Sequence, residues 1–206
     1  MAERESGTSQ PYDAAALAGP SLRKKREVPD GLWVRCDGCE ATLYRKRVVE
    51  NLQVCPQCGW HFPVDAQERI EQLTDPDTFE ELFANVAPTD PLAFHWGGKT
   101  YADRLAREQE RTGLRDAVRT GIAYVKGRRV ALGVMDGGFL RGSMGSAVGE
   151  KITRLIERAT DEHLPLFIVC VSGGARMHEG ALSLMQMSKT SAALGRFDEA
   201  GGLYVS

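Results

Sequence analysis

The sequence predicts an α/β layer fold that is preceded by a small metal-stabilised unit. After Gly113, apolar strands alternate with helical segments, and strand–helix–strand order with helical crossovers is typical of α/β layers. Before that point, residues 31–62 contain two Cys-x-x-Cys pairs and few apolar side chains, so this short segment needs a metal to fold. The 206 residues suffice for one ordinary domain plus such an appendage.

The composition is that of an ordinary soluble globular protein, with 42% apolar and 26% charged residues. The 28 acidic and 26 basic side chains leave the chain nearly neutral, so its overall charge gives no argument for binding nucleic acid or a membrane. No apolar stretch approaches the roughly 20 residues that span a bilayer. The first ten residues lack the apolar core of a secretory signal. We therefore expect a cytoplasmic protein with reduced cysteines.

Three parts are expected along the chain. Residues 1–30 are rich in Ser, Gly, Pro, Ala and charge without sustained periodicity, which predicts a disordered arm. Residues 31–62 hold the cysteine pairs and are expected to form a zinc ribbon. Residues 63–206 are expected to form the layered domain.

Helical patterns dominate the first half of the third part. A helix is predicted to start near Asp65 and to end at Asp75-Pro76. The apolar residues of segment 79–83 suggest a short helical turn. Residues 101–111 form an amphipathic pattern, and Gly113 suits the C-terminal cap of that helix.

Strands enter after Gly113. Residues 117–125 and 130–136 are predicted to form a hairpin around the turn at 126–128. A helix is predicted from 147 to 163. Residues 166–172 are continuously apolar, as expected of a strand that is covered on both faces.

The last segments are a predicted helix from 177 to 196 and a strand that begins at 203. Because that strand starts only four residues before the end, the domain is expected to be incomplete at its C-terminus. Cys170 lies inside the apolar strand, where a buried small hydrophobe is favoured over a nucleophile.

The cysteine spacing predicts a metal site. Cys36-x2-Cys39 and Cys55-x2-Cys58 are separated by fifteen residues. Each pair allows a tight turn to place two thiolates beside a metal, and four thiolates in a tetrahedron suit zinc. A rubredoxin-like iron site and a thioredoxin-like dithiol are the alternatives, although no thioredoxin-type βαβ setting is present. Four cysteine ligands leave no open position, so the zinc is expected to be structural.

The Gly173-Gly174 pair lies where the buried strand gives way to the next helix. Glycines allow a close approach of a ligand to the backbone, and free N–H groups at a helix start favour a negative oxygen. The pair therefore suggests an oxyanion hole, with a plain turn as the alternative. The Gly142–Gly149 stretch does not match the dinucleotide fingerprint. No His/Ser/Asp or Cys/His arrangement suggests a covalent nucleophile, so an enzyme here would act through backbone dipoles.

Four separated segments share their order with a known family. They are Trp33–Cys58, Tyr101–Leu105, Gly142–Ile152 and Ser172–Leu194. The last of them contains the run Ser-Gly-Gly-Ala-Arg-Met-His-Glu-Gly. Together they resemble the β subunit of the bacterial-type acetyl-coenzyme A carboxylase carboxyltransferase, over residues 31–206.

The resemblance implies a crotonase-like domain of ββα repeats behind the ribbon. It implies transfer of a carboxyl group from carboxybiotin, held on the biotin carboxyl carrier protein, to acetyl-CoA, which gives malonyl-CoA for fatty-acid synthesis. The implied partners are the carboxyltransferase α subunit, in an α2β2 assembly, and biotin carboxylase.

The resemblance also implies roles for individual residues. The backbone amides of Gly173 and Gly174 would stabilise the enolate of the acetyl thioester. Arg176 would meet a CoA phosphate, with pairing to Glu179 as the alternative. A wall of the CoA pocket would be formed by Gly142, Ser143, Met144 and Gly145.

Two features depart from the family. Arg141 stands where the family often has glycine, and the family continues beyond residue 206 with further ββα units. The alternative function is therefore a zinc-ribbon module, on an inactive truncated carboxyltransferase, that binds protein or nucleic acid. The basic run Arg45-Lys46-Arg47 would supply the charge for nucleic acid, although a solvated surface is the simpler explanation of that run.

Overall fold

A computed structural model describes residues 31–206. The expected arm at 1–30 lies outside the described residues. No helix of the described part is both long enough and apolar enough to cross a membrane.

The first element is a compact ribbon. Strand β1 (Trp33–Arg35) pairs antiparallel with β2 (Thr42–Tyr44), and helix α1 (Arg45–Glu50) follows directly. The buried core of this unit is very small, which is why a metal is needed to hold it together. That core consists of Cys36, Leu43, Val48 and Cys55.

A five-stranded mixed sheet forms the centre of the remaining chain. In spatial order its strands are β3 (Glu80–Leu82), β6 (Val118–Val125), β7 (Arg128–Met135), β8 (Leu166–Val169) and β9 (Tyr204–Val205). Strand β6 is antiparallel to both of its neighbours, β3 and β7, and β7, β8 and β9 run parallel to one another. Strands β6 and β7 with the helix after them form one ββα unit.

Helices cover both faces of the sheet because alternate strand residues point to opposite sides. Leu132 and Val134 of β7 share a buried cluster with Ala66 and Ile70. The helices are α2 (Ala66–Leu73), α3 (Tyr101–Thr112), α4 (Ser146–Asp161) and α5 (Ala181–Glu199). The strand residues that point to the other face belong to a larger cluster, which is built mainly from α3, α4 and α5.

Local chemistry explains where two of these helices begin and end. The Asp65 carboxylate accepts the Glu68 N–H at 2.8 Å and caps α2. A small hairpin of β4 (His95–Trp96) and β5 (Lys99–Thr100) leads into α3, whose start is closed by a capping box between Thr100 and Asp103. Gly113 adopts the left-handed conformation (φ 71°) and ends α3 as predicted.

The predicted β6–β7 hairpin is confirmed, with a two-residue turn. Lys126 and Gly127 both have positive φ, 51° and 73°, which is the type I′ geometry. The carboxylate of Asp75 accepts both of their N–H groups, at 2.9 and 2.7 Å. The turn is therefore fixed by a residue that the sequence marked only as the end of α2.

The expected helical turn at 79–83 is wrong. Residues Glu80–Leu82 instead form β3 and pair antiparallel with Thr120–Ile122. A strand partner supplied by the hairpin outweighs a weak local helical pattern. Gly121 makes the pairing possible, because a Cβ there would lie 2.7 Å from the Phe79 ring.

The end of β8 also differs from the expected boundaries. The strand stops at Val169, so Cys170 lies beyond it and is exposed instead of buried. The next helix does not begin at Met177. A 3-10 turn occupies Met177–Glu179, and α5 starts only at Ala181 because Gly180 (φ 52°, ψ −131°) interrupts the helix.

Candidate active site and metal centre

The ribbon brings all four predicted metal ligands together. The four Sγ atoms lie within 4.8 Å of one another. Cys36 and Cys58 are 3.7 Å apart, and Cys39 and Cys55 are 3.8 Å apart. A tetrahedron with metal–sulfur bonds of about 2.3 Å has sulfur–sulfur edges of about 3.8 Å. The donor set and its dimensions therefore fit a tetrahedral zinc site.

Each cysteine pair sits in the same kind of tight turn. The Cys36 carbonyl accepts the Glu40 N–H at 2.8 Å, and the Cys55 carbonyl accepts the Gly59 N–H at 3.0 Å. Glu40 and Gly59 both have positive φ, 59° and 76°. These left-handed residues close the two turns so that the thiols point inward. The geometry is that of a closed structural site with no position left for a substrate.

The glycine pair lies in the exposed segment that follows β8. The Gly173 N–H donates to the Arg141 carbonyl at 2.9 Å, and the Gly174 N–H donates to Ser172 Oγ at 3.0 Å. Gly174 has φ 98°, which favours glycine. Both predicted donors therefore have internal acceptors, of which only the Ser172 hydroxyl can be moved by rotating a side chain.

Ala175 is a donor that the sequence reasoning missed. Ala175 and Met144 form a parallel bridge, in which Met144 donates to Gly174 O and accepts from Arg176 N, both at 2.9 Å. The Ala175 N–H points away from Met144 in this arrangement, and no acceptor for it lies within residues 31–206. The sequence signal that could have identified this donor is its position directly after the glycine pair.

The loop that contains Gly142 and Gly145 packs tightly against the segment after β8. A Cβ on Gly142 (φ 69°) would lie 2.9 Å from the Val171 carbonyl carbon. A Cβ on Gly145 would lie 2.8 Å from Arg176 Nη1 and would overlap the Glu179 carboxylate. These two glycines are needed because two pieces of backbone approach closely.

Arg176 is buried among protein partners. Its guanidinium faces the Asp116 carboxylate at 2.5 and 3.1 Å and lies 3.5 Å from Glu179. It also donates to the Ser143 carbonyl at 2.6 Å. Burial opposes the positive charge, but the attraction of Asp116 outweighs it and raises the pKa of Arg176. Of the two roles left open for Arg176, carboxylate pairing is the one that the structure contains.

Glu179 joins three elements through its two oxygens. Oε1 accepts the Tyr101 hydroxyl at 2.7 Å, and Oε2 accepts the Ser146 N–H at 2.6 Å at the start of α4. Burial raises the pKa of Tyr101, and the hydrogen bond of its hydroxyl to Glu179 acts in the same direction. The carboxylate thus caps a helix that has no side-chain cap of its own.

A cleft of about 660 Å³ opens beside Gly173 and Ala175. Ser143 is the one member of the predicted Gly142–Gly145 wall that lines it. The other lining residues include three arginines but only one acidic side chain. They are Trp96, Arg104, Glu108, Arg111, Gly138, Leu140, Arg141, Met177 and His178.

A larger groove of about 920 Å³ lies between the ribbon and the sheet. Its walls come from the second half of the ribbon, from α2 and from the ends of β7 and β8. None of the predicted ligands or site residues lines it. Of these two pockets, only the smaller cleft beside the glycine pair is lined by predicted site residues.

Comparison with known families defines the class of this protein. The acetyl-CoA carboxylase zinc finger domain matches residues 33–58, and the carboxyl transferase domain matches residues 66–199. The chain thus contains a carboxyl transferase domain preceded by a zinc ribbon.

Two relatives specify the family. The acetyl-coenzyme A carboxylase carboxyl transferase subunit beta of Rhodopirellula baltica is 52% identical over 210 residues, covering 98% of this chain and 67% of that protein. The subunit beta of Synechococcus sp. (strain JA-3-3Ab) is 57% identical over 184 residues, covering 89% of this chain and 58% of that protein. The chain belongs to this family of β subunits, as the resemblance predicted. It spans about three fifths of the length of the curated relatives it matches.

A solved structure supports the fold class. The transcarboxylase 12S structure with hydrolysed methylmalonyl-coenzyme A bound matches with a TM-score of 0.54 and 26% identity, over 66% of this chain and 24% of that chain. The predicted crotonase-like α/β domain behind a four-cysteine ribbon is confirmed.

Proposed function

We propose that this chain acts as a carboxyl transferase β subunit that carboxylates acetyl-CoA to malonyl-CoA. The observation that carries the proposal is the exposed Gly173–Ala175 segment, of which Gly173 and Ala175 line a cleft in this family's domain. The proposed partners are a carboxyl transferase α subunit in an α2β2 assembly, the biotin carboxyl carrier protein and biotin carboxylase. The proposed setting is the cytoplasm, where the four ribbon thiols stay reduced.

The chemistry follows from where negative charge develops. Removing the α-proton of acetyl-CoA places charge on the thioester oxygen, and two N–H donors aimed at that oxygen lower the barrier. The Ala175 N–H is available at once, and the Gly174 N–H becomes available when the Ser172 hydroxyl rotates away. Each such donor is worth about 3–4 kcal/mol where this kind of effect has been measured. Carboxybiotin supplies the carboxyl group and, after decarboxylation, the base.

The supporting residues hold these donors in place. Ser143 lines the cleft, while Gly142, Met144 and Gly145 fasten the loop before α4 to the segment that carries the donors. We propose one structural zinc on the four cysteines. It keeps the ribbon folded and takes no part in the reaction.

The alternative of an inactive module that binds nucleic acid or protein is not favoured. The carboxyl transferase match covers residues 66–199, which include both glycine segments, and the relatives carry the name of the enzyme subunit.

The test is malonyl-CoA formation from acetyl-CoA and carboxybiotin by this chain mixed with a carboxyl transferase α subunit. Ala175→Pro removes an N–H that has no internal acceptor in the described chain, so it should lower kcat by about 10²–10³-fold. Ala175→Gly keeps the N–H and serves as the matched control. Equal activity of the two variants would contradict the role of Ala175.

A second comparison tests the function itself. The Rhodopirellula baltica β subunit is assayed under the same conditions. If that subunit is active and this chain is not, the proposed activity of this chain is refuted.

A further inference from the structure

Arg104 carries a positive charge that no carboxylate of residues 31–206 neutralises within 4 Å. Its guanidinium lies 5.6 Å from the centre of the Trp96 ring, and its Nη1 lies 2.9 Å from His178 Nε2. Arg111 in the same cleft differs, because it pairs with Glu108 at 2.5 Å. Arg104 is therefore held in place by groups that leave its charge free to meet an anion.

His178 acts as a neutral acceptor for Arg104. Burial, followed by the nearby charges of Arg104 and Arg176, lowers the pKa of His178. The ring stacks on Tyr101 at 5.0 Å with an interplanar angle of 16°. Because Nε2 accepts from Arg104, the proton of the neutral ring lies on Nδ1. Arg104 is thus oriented without being neutralised.

Arg141 places a second unpaired cation on the same cleft. Its side chain is exposed and makes no ion pair within the described chain. Its carbonyl accepts the Gly173 N–H at 2.9 Å, so the side chain begins next to the glycine pair. The backbone of Arg141 is left-handed (φ 58°, ψ 29°), a conformation that an arginine adopts at a cost.

We infer that Arg104 and Arg141 form a phosphate subsite for the CoA part of the thioester. A guanidinium fork binds phosphate oxygens in pairs, and CoA carries both a pyrophosphate and a 3′-phosphate. Trp96 is 59% exposed and lies beside Arg104, which makes it the stacking surface for the adenine ring. The choice of CoA as ligand rests on the function proposed above.

Direct binding to the 206-residue chain tests this subsite. Dissociation constants are measured by calorimetry for acetyl-CoA, acetyl-3′-dephospho-CoA and acetyl-pantetheine. The wild type should bind acetyl-CoA about tenfold or more tightly than acetyl-pantetheine. Arg104→Gln and Arg141→Gln should each weaken acetyl-CoA binding by about tenfold and leave acetyl-pantetheine binding unchanged. The dephospho thioester then shows which phosphate each arginine meets.

Arg107→Gln is the matched control, because Arg107 lies on the same helix, is exposed and does not line the cleft. It should bind all three thioesters like the wild type. Equal losses for all three thioesters in Arg104→Gln, or no loss in either cleft variant, would overturn the subsite. Phosphate-dependent binding without carboxyl transfer would support the subsite and refute the proposed function. A wild type that binds no acetyl-CoA would overturn both.

Discussion

Arg176 and Asp116 form a two-pronged ion pair in the interior of the protein. Nη2 lies 2.5 Å from Oδ1 and Nη1 lies 3.1 Å from Oδ2, and both side chains have 0% exposure. The partners are 60 residues apart in sequence. They tie the start of β6 to the segment that carries the glycine pair, so the position of that segment depends on both charges being present.

Removing one member of this pair should be very costly. Arg176→Met leaves the Asp116 carboxylate buried without its partner, and we expect the free energy of unfolding to fall by about 3–5 kcal/mol. Urea unfolding followed by circular dichroism measures this. Arg158→Ala removes an exposed pair with Glu162 and should cost less than about 1 kcal/mol. Similar costs for the two variants would show that the buried pair does not hold the structure together.

Two glycines inside helices should respond oppositely to alanine. At Gly149 in α4, a Cβ would lie 2.5 Å from the Cβ of Gln186 on α5, so Gly149→Ala should destabilise by about 1–3 kcal/mol. At Gly195 in α5, nothing lies within 4 Å, so Gly195→Ala should stabilise by about 0.5–1 kcal/mol. Thermal unfolding of both variants checks the signs. Stabilisation by both would mean that α4 and α5 pack less closely than described.

Metal content should depend on the ribbon cysteines alone. Purified protein is expected to hold about one zinc per chain, and Cys55→Ser should abolish tight binding. The ribbon core is separate from the clusters around the sheet, so that variant should keep its helical circular dichroism signal. Elemental analysis measures the metal, and Cys170→Ser is the control because Cys170 lies outside the site. Iron in the protein, or disulfides among the four cysteines, would contradict the zinc assignment.

Lys151 should make the free energy of unfolding vary with pH in the alkaline range. It is 2% exposed, and its Nζ donates to the Val118 carbonyl at 3.3 Å. Burial lowers its pKa, although the carboxylates of Glu81 and Asp116 act in the opposite direction. The unfolded chain therefore binds the proton more tightly, and the free energy of unfolding should rise with pH between the lowered folded pKa and the unfolded value of about 10.4.

Lys151→Met should remove this pH dependence. We expect it to stabilise by roughly 1 kcal/mol at neutral pH, because a buried charge is replaced by an apolar chain of similar length. The gain should shrink as the pH approaches about 10. Urea titrations across this range measure it, with Lys189→Met on the surface of α5 as the control. A gain that does not change with pH would exclude titration of Lys151 as its cause.

Several features were predictable because neighbouring residues decide them. The spacing of the cysteine pairs places four thiols around one point, Asp65 caps the helix that follows it, and Lys126-Gly127 adopts the turn that a hairpin requires. Each depends on residues within a turn or two of the chain, or on a metal that imposes its own geometry.

Other features depend on partners that are distant in sequence. The strand at Glu80–Leu82 exists because β6 offers it an edge. Arg176 was a candidate for binding a CoA phosphate because its actual partner, Asp116, lies 60 residues away in sequence. The free N–H of Ala175 depends on Met144, 31 residues earlier, which bonds to the Gly174 carbonyl and the Arg176 N–H on either side of it. Contacts of this kind are set by tertiary packing, which the local sequence pattern does not reveal.

The hydrogen bond from the Ser146 N–H to Glu179 links the start of α4 to a residue 33 positions later. That amide is protected while Glu179 accepts its hydrogen bond, so its exchange with solvent requires this contact to open. Hydrogen–deuterium exchange at this one position would therefore report how often the contact between the start of α4 and Glu179 breaks. The stability of the link between these two parts of the site can thus be measured without substrate or partner.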